Sequence, residues 1–218
     1  MIEIVIIGRN EGESVGAMYN SLQHFPAKRV WVLDRCTDDS KKKLKKLKEF
    51  YVETPSDIEG RQTSFARNLG LSFCSDDVSV LFLDGDRFVS DGDLNGLFSW
   101  EPDIGLLMLE SDKRDEIVDY KATYGHVMNG FYSCGIFFKR KAIDRILAFQ
   151  DKELFRVNLQ SDWGIEDTCL GDVCFHLGLT ADLYRNCRLK GCFDKLFLDS
   201  LDVMERRFKI RDGLNVIW

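Results

Sequence analysis

Val78-Ser-Val-Leu-Phe-Leu83 runs directly into Asp84-Gly85-Asp86. An apolar, β-branched and aromatic run of this kind, preceded by Ser75-Asp76-Asp77, predicts a strand buried on both faces of a parallel sheet. Two carboxylates follow where the strand ends, with one glycine between them. In an open α/β sheet, ligands bind outside the carboxyl ends of the strands. The i, i+2 spacing sets both carboxylates on one side of an extended backbone. Gly85 lets the chain turn and approach a ligand closely. Two hard oxygen donors suit Mg²⁺ or Mn²⁺ and leave coordination positions for phosphate oxygens. Taken alone, the same residues also read as an acidic loop after a strand, so the surrounding sequence must decide.

Upstream, strands and helices alternate. Ile2–Ile7 predicts a first strand, residues 14–24 a helix, and Arg29-Val-Trp-Val-Leu33 a second strand ending at Asp34. Thr37-Asp38-Asp39-Ser40 offers N-cap residues for a lysine-rich helix. Phe50–Glu53 reads as a short third strand and residues 61–73 as a helix before the strand that reaches Asp84. This rhythm predicts a mainly parallel, Rossmann-like sheet with helices on both faces. No G-x-G-x-x-G follows the first strand, so a dinucleotide site of that type is not supported. Downstream, Ile104–Leu109 and Phe131–Phe138 read as strands, and Arg140–Phe149 and residues 166–177 as helices. Residues 110–130 carry no clear period between two strands and are expected to form a mobile lid. From Thr180 onward the pattern assigns nothing.

Composition sets the frame. At 218 residues with only three prolines and no repeat, one compact domain is expected. No apolar run approaches the ~18 residues of a membrane span. The N-terminus lacks the basic region and cleavage site of a signal peptide. Seven cysteines, an odd count without disulfide-like spacing, point to reduced thiols and a cytoplasmic protein. Cys169/Cys174 and Cys187/Cys192 are poorly spaced for zinc and read as core packing. A net charge of −6 argues against a general nucleic-acid binder. The basic run Lys41–Lys48 reads as a solvated helix face, with docking on an anionic membrane or polymer as the other reading.

Five stretches, in order, resemble a known family. Ile4-Val-Ile-Ile-Gly-Arg-Asn-Glu11, Val32-Leu-Asp-Arg-Cys-Thr-Asp-Asp-Ser40, Gly60-Arg61 before Ala66-Arg67-Asn68-Leu69-Gly70, and Leu81-Phe-Leu-Asp-Gly-Asp86 are similar to the nucleotide-sugar half of a GT-A glycosyltransferase of family 2. Asp162-Trp163-Gly164-Ile165-Glu166-Asp167, followed by Gly171 and Gly178, resembles that group's acceptor-side Glu-Asp motif. The resemblance implies an α/β GT-A fold, with residues 1–100 binding the donor and 101–218 the acceptor. It implies that Asp34 contacts the base or ribose and that Arg61 and Arg67 lie near the nucleotide or its diphosphate. Asp86 would ligate Mn²⁺ or Mg²⁺ directly, and Asp84 would touch ribose, sugar or metal. Asp167 would be the general base and Glu166 an acceptor ligand.

Each assignment has a plainer rival. Asp34 can simply open the Cys36–Ser40 turn, and Arg61 and Arg67, six apart on a helix, can be surface residues. Glu166-Asp167 can be a helix cap. Trp163 suits sugar stacking as an acceptor contact and suits a buried core equally. His126 and His176 give no clear third metal ligand.

The function expected is metal-dependent transfer of a sugar from a UDP-sugar to an acceptor hydroxyl, with inversion. The acceptor is a saccharide, a lipid-linked sugar or a protein, and nucleic acid is disfavoured by the charge. Two rivals stand beside it. A haloacid-dehalogenase-like phosphatase would use Asp84 as nucleophile and Asp86 as acid, but Arg87-Phe88 follows where such sites carry a small or β-branched residue. A non-catalytic sugar-nucleotide-binding protein would hold the donor without turning it over.

Overall fold

The structure is a computed structural model that describes residues 1–57, 63–109, 135–156 and 165–191, with the side chains of 108, 109 and 165–169 outside that description. Among these residues eight strands form one sheet: β1 (Ile2–Gly8), β2 (Lys28–Leu33), β3 (Tyr51–Glu53), β4 (Ser79–Asp84), β5 (Arg87–Gly92), β6 (Ile104–Leu109), β7 (Gly135–Phe138) and β8 (Ala181–Gly191). The order is β3-β2-β1-β4-β7-β6-β8-β5. β3, β2, β1 and β4 run parallel, β7 is antiparallel to both β4 and β6, β6 and β8 are parallel, and β5 closes the edge antiparallel to β8. The expected parallel half is therefore present, and the second half is mixed.

Among the described residues five helices connect these strands: α1 (Gly12–Leu22), α2 (Ser40–Leu47), α3 (Thr63–Leu71), α4 (Arg140–Phe149) and α5 (Ile165–His176). A 3₁₀ turn spans Asn95–Ser99. Alternate residues of the central strands feed two cores, one on each face. Ile4, Ile6, Leu81 and Leu83 pack with Val15, Met18 and Leu22 of α1 and Leu44 of α2. Val5, Val80, Phe82 and Phe138 pack on the other face with Ala66 of α3, Ile143 and Ile146 of α4, and Leu170 and Val173 of α5. Burial on both faces is why β1 and β4 read as continuous apolar runs.

Glu3 is the exception in β1. Burial raises its pKa, but hydrogen bonds from Ser75 and Lys28 outweigh this and hold the carboxyl below its ordinary value. A charge in that strand is tolerated because it is paired and hydrogen-bonded.

Close helix–sheet approach depends on Gly70 in α3. A Cβ there would lie 2.3 Å from Val5 Cγ1 and 3.0 Å from Val32 Cγ2, both on fully buried residues. Gly70→Ala is expected to destabilise by about 1–3 kcal/mol through overpacking, read as a lower urea midpoint at unchanged slope.

Two strands escaped the sequence reading. Along β8 the buried residues are Tyr184, Cys187 and Leu189, because the pairing with β6 skips between Leu107 and Met108. That irregularity breaks the period of two on which strand recognition rests. β5 is mostly polar and has its own register shift between Val89 and Asp91. Of the expected Phe131–Phe138 strand, the described part is Gly135–Phe138. The expected lid at 110–130 lies outside the described residues, as do His126 and Cys192.

Cys36, Cys74, Cys174 and Cys187 are free thiols. Cys174 and Cys187 lie in cores on opposite faces of the sheet, so these two thiols cannot share one zinc. Burial pushes the Cys187 thiol up to about 12, as expected of a neutral packing residue.

Candidate active site

The carboxyl ends of the parallel strands lie side by side. Gly8 opposes Leu33, Ile7 opposes Asp84, and Leu33 opposes Glu53. Asp34 and Asp84 are thereby brought to one edge, as the strand pattern requires.

Asp34 follows β2, and its N–H donates to Gly8 O at 2.8 Å. Its carboxylate accepts from Arg35 Nε at 2.7 Å, Arg35 Nη2 at 3.0 Å and Thr54 Oγ1 at 2.9 Å. The residue is 7% exposed. Burial raises its pKa, yet the Arg35 and Thr54 hydrogen bonds and the charges of Arg35 and Arg9 outweigh that and hold it below the ordinary carboxylate value. Asp34 is therefore an ionised acceptor at neutral pH, held rigidly. Arg35 reaches back with a left-handed backbone, φ 49°. Neither Arg35 nor Thr54 was singled out from sequence. Thr54 does carry a signal, since it directly follows the third parallel strand at the same edge.

Two loops beneath Asp34 are knitted together. Asn10 Oδ1 accepts from the Thr37 N–H at 2.7 Å, and Asp38 Oδ2 accepts from the Gly12 N–H at 2.7 Å. Asp38 Oδ1 also takes the Ser40 N–H and hydroxyl at 3.0 and 2.6 Å. Asp39 occupies the N-cap position of α2 without a side-chain capping hydrogen bond. Asp38 thus serves both helices, α1 and α2, at their N-termini.

Asp84 ends β4, and Gly85 and Asp86 form a two-residue turn into β5. The motif is not extended through its length, so strand alternation does not set the two carboxylates. The turn is instead anchored by its glycine. Gly85 N–H donates to Ile7 O at 2.6 Å, and Gly85 O accepts from the buried Ser14 hydroxyl at 2.6 Å. A Cβ on Gly85 would meet Ile7 O at 3.1 Å and Gly8 Cα at 3.4 Å, tight against backbone. The carboxylates remain accessible, with side chains 31% exposed at Asp84 and 36% at Asp86. Arg87 Nε lies 3.6 Å from Asp86 Oδ1.

Arg67 is placed differently from a surface residue. It is 2% exposed, donates from Nη2 to Asp84 Oδ1 at 3.0 Å, and lies 5.3 Å over the Phe155 ring. Its neighbour Asn68 grips the backbone of Phe155 from both sides, donating to its carbonyl at 2.6 Å and accepting its N–H at 3.0 Å. The α3 helix thus clamps a distant strap and aims one guanidinium at the first carboxylate of the turn.

Glu166 and Asp167 fall in the first turn of α5. That helix ends beside the start of β6, where Ile104 N–H donates to Thr180 O and Asp103 takes the N–H and hydroxyl of Thr180. Arg61 and Trp163 lie outside the described residues. Among the described residues, no group of three or more His, Cys, Asp or Glu converges to hold a metal.

No protein-family model matches the sequence, and no curated protein matches it. Solved structures do. Glucosyl-3-phosphoglycerate synthase from Mycobacterium tuberculosis, in complex with Mg²⁺ and uridine diphosphate, is similar over 98% of this chain and 79% of its own, with a TM-score of 0.66 at 16% identity. The same enzyme in complex with Mn²⁺, UDP-glucose and phosphoglyceric acid matches with a TM-score of 0.66. S. aureus TarS, residues 1–349, matches 87% of this chain with a TM-score of 0.60 at 14% identity. The chain spans 60% of that TarS fragment and 37% of TarS in its longer form. At these identities the likeness is one of fold: this chain has the GT-A fold.

Proposed function

We propose that the chain is a metal-dependent glycosyltransferase that moves a sugar from a UDP-sugar to an acceptor hydroxyl, with inversion. The observation that carries the reading is the anchored Asp84-Gly85-Asp86 turn, held at the same sheet edge as the ionised Asp34. Residues 1–100 form the donor-binding half and 101–218 the acceptor-binding half. Support comes from the glucosyl-3-phosphoglycerate synthase structures of the same fold, which were captured with UDP, UDP-glucose, Mg²⁺ or Mn²⁺.

The donor set fits a divalent cation. Asp84 and Asp86 are hard oxygen ligands, half-exposed, on a backbone held from both sides, and a metal bound by so few protein groups leaves room for phosphate oxygens. When bound, the cation offsets the charge that develops on the departing diphosphate. Asp34 accepts from the uracil N–H or the ribose hydroxyls. Arg67 is a positioning residue that fixes Asp84 from below. Arg61 lies ahead of α3 and is assigned to the diphosphate. Glu166 orients the acceptor, with Trp163 as its stacking platform, while Asp167 removes the hydroxyl proton. A carboxylate at a helix N-terminus stays ionised and available for that proton.

The acceptor is a saccharide, a lipid-linked sugar or a protein. Among the described residues no helix is long and apolar enough to cross a membrane. The free thiols accord with a reducing, cytoplasmic setting.

A thermal-shift screen with Mn²⁺ and a panel of sugar nucleotides tests this. A UDP-sugar at a hundredfold excess over Kd should stabilise the fold by about 2.7 kcal/mol, and no shift with any UDP-sugar would oppose the reading. Asp34→Ala should weaken UDP by about 1–3 kcal/mol, the cost of leaving a polar partner unsatisfied, with much less effect on GDP. Equal losses by calorimetry would place Asp34 in structure rather than in base recognition. The phosphatase alternative expects its nucleophile after the first strand of a domain; here it follows the fourth in chain order. Aryl-phosphate hydrolysis would revive it. Donor binding without turnover, given acceptors, would favour a binding protein.

A further inference from the structure

We propose that the sheet edge opposite the carboxylate turn is a docking surface for an anionic lipid bilayer. The proposal is independent of the catalytic reading. With a net charge of −6, the whole chain is repelled by such a surface, so attraction has to be local.

The last turn of α2 supplies it. Lys45, Lys46 and Lys48 are exposed, whereas Lys41 and Lys43 are engaged by Glu53 and Asp39. Lys48 ends the helix in a left-handed conformation, φ 58°, and the chain passes through Glu49 into Phe50. Phe50 is 48% exposed, and its ring packs 5.7 Å from that of Phe73, itself 42% exposed beyond the end of α3. Met1, 87% exposed, directly precedes β1 at the same edge. Lys28, at the start of β2, ties the patch together by donating to Phe73 O at 2.7 Å.

The acidic groups facing this patch divide in two. Glu3 and Glu49 are nearly buried and neutralised by Lys28 and Arg29. Asp76 and Asp77 are exposed ahead of β4 and oppose the lysines in part. Lys28, Arg29, Lys45, Lys46 and Lys48 outnumber Glu3, Glu49, Asp76 and Asp77 in this patch, and Phe50 and Phe73 are in ring contact.

An acidic protein or polymer would use the lysines and leave the phenylalanine pair in water. A bilayer interface uses both, taking Phe and Met into the acyl boundary and lysine ammonium groups among anionic headgroups. Bound in this way, the protein turns its carboxylate edge to the water, roughly 20 Å away across the length of β1.

Co-sedimentation of the full chain with phosphatidylcholine vesicles, with and without equimolar phosphatidylglycerol, tests this. Binding is expected only to the anionic vesicles and should weaken with added salt. Lys46→Gln should reduce affinity about fivefold, and neutralising Lys45, Lys46 and Lys48 together about a hundredfold. Phe50→Ser with Phe73→Ser should reduce it at least tenfold. All five residues are exposed, and unchanged thermal melts would confirm intact variants; the single Lys46→Gln change keeps the test readable if a multiple variant misfolds. Failure to pellet with anionic vesicles, equal pelleting with neutral ones, or indifference to the lysine changes would overturn the proposal. Retention on heparin without vesicle binding would also overturn it, in favour of an anionic polymer.

Discussion

Asp86→Ala should remove the Mn²⁺-dependent part of UDP affinity and lower sugar transfer by at least about 10²–10³-fold, the usual loss when a preorganised electrostatic contact to developing charge is deleted. The fold should survive, because Asp86 is half-exposed in a two-residue turn whose anchors are backbone groups of Gly85. Calorimetry on the variant with and without Mn²⁺ separates the two effects. Unchanged metal-dependent UDP binding would remove Asp86 from the metal site. Asp84→Ala should be harder on the protein, since it strips a buried guanidinium of its carboxylate partner.

Asp167→Asn should leave UDP-sugar and metal binding as in the wild type while transfer falls by about 10²–10⁴-fold, the range for loss of a general base. Asparagine keeps the size and hydrogen bonding of the residue at the start of α5 and removes only its basicity. Glu166→Gln should act mainly on acceptor KM. Steady-state kinetics with donor and acceptor varied separately distinguish the two. An inactive Glu166→Gln beside a near-normal Asp167→Asn would exchange their roles. If neither change mattered, the pair would be a helix cap.

How far the molecule could be read beforehand follows from which features are local. β1, β2 and β4 are continuous apolar runs because both faces are covered, and a run of that kind survives any change of neighbours. β6 and α4 matched their expected bounds, Ile104–Leu109 and Arg140–Phe149, for a similar reason. β5 and β8 were not assigned at all, because a register irregularity shifts their alternation and hides the period.

The site divides in the same way. Asp34, Asp84 and the Gly85 turn were legible because a carboxylate at the end of a buried parallel strand has few other places to be. Their supports were not. Thr54 meets Asp34 across 20 residues, Ser14 meets Gly85 across 71, and Asn68 grips Phe155 across 87. No local pattern announces such contacts. Arg67 illustrates the intermediate case: its place in the motif was visible, but its burial against Asp84 and Phe155 was not.

UDP release from a UDP-sugar, followed in the presence of Mn²⁺, after chelation and after Mn²⁺ is restored, tests the central claim most directly. Metal-dependent transfer from a nucleotide-sugar predicts release with Mn²⁺, background after chelation and recovery on adding the metal back. Release that is indifferent to chelation, or no release from any UDP-sugar beside active hydrolysis of an aryl phosphate, would contradict it.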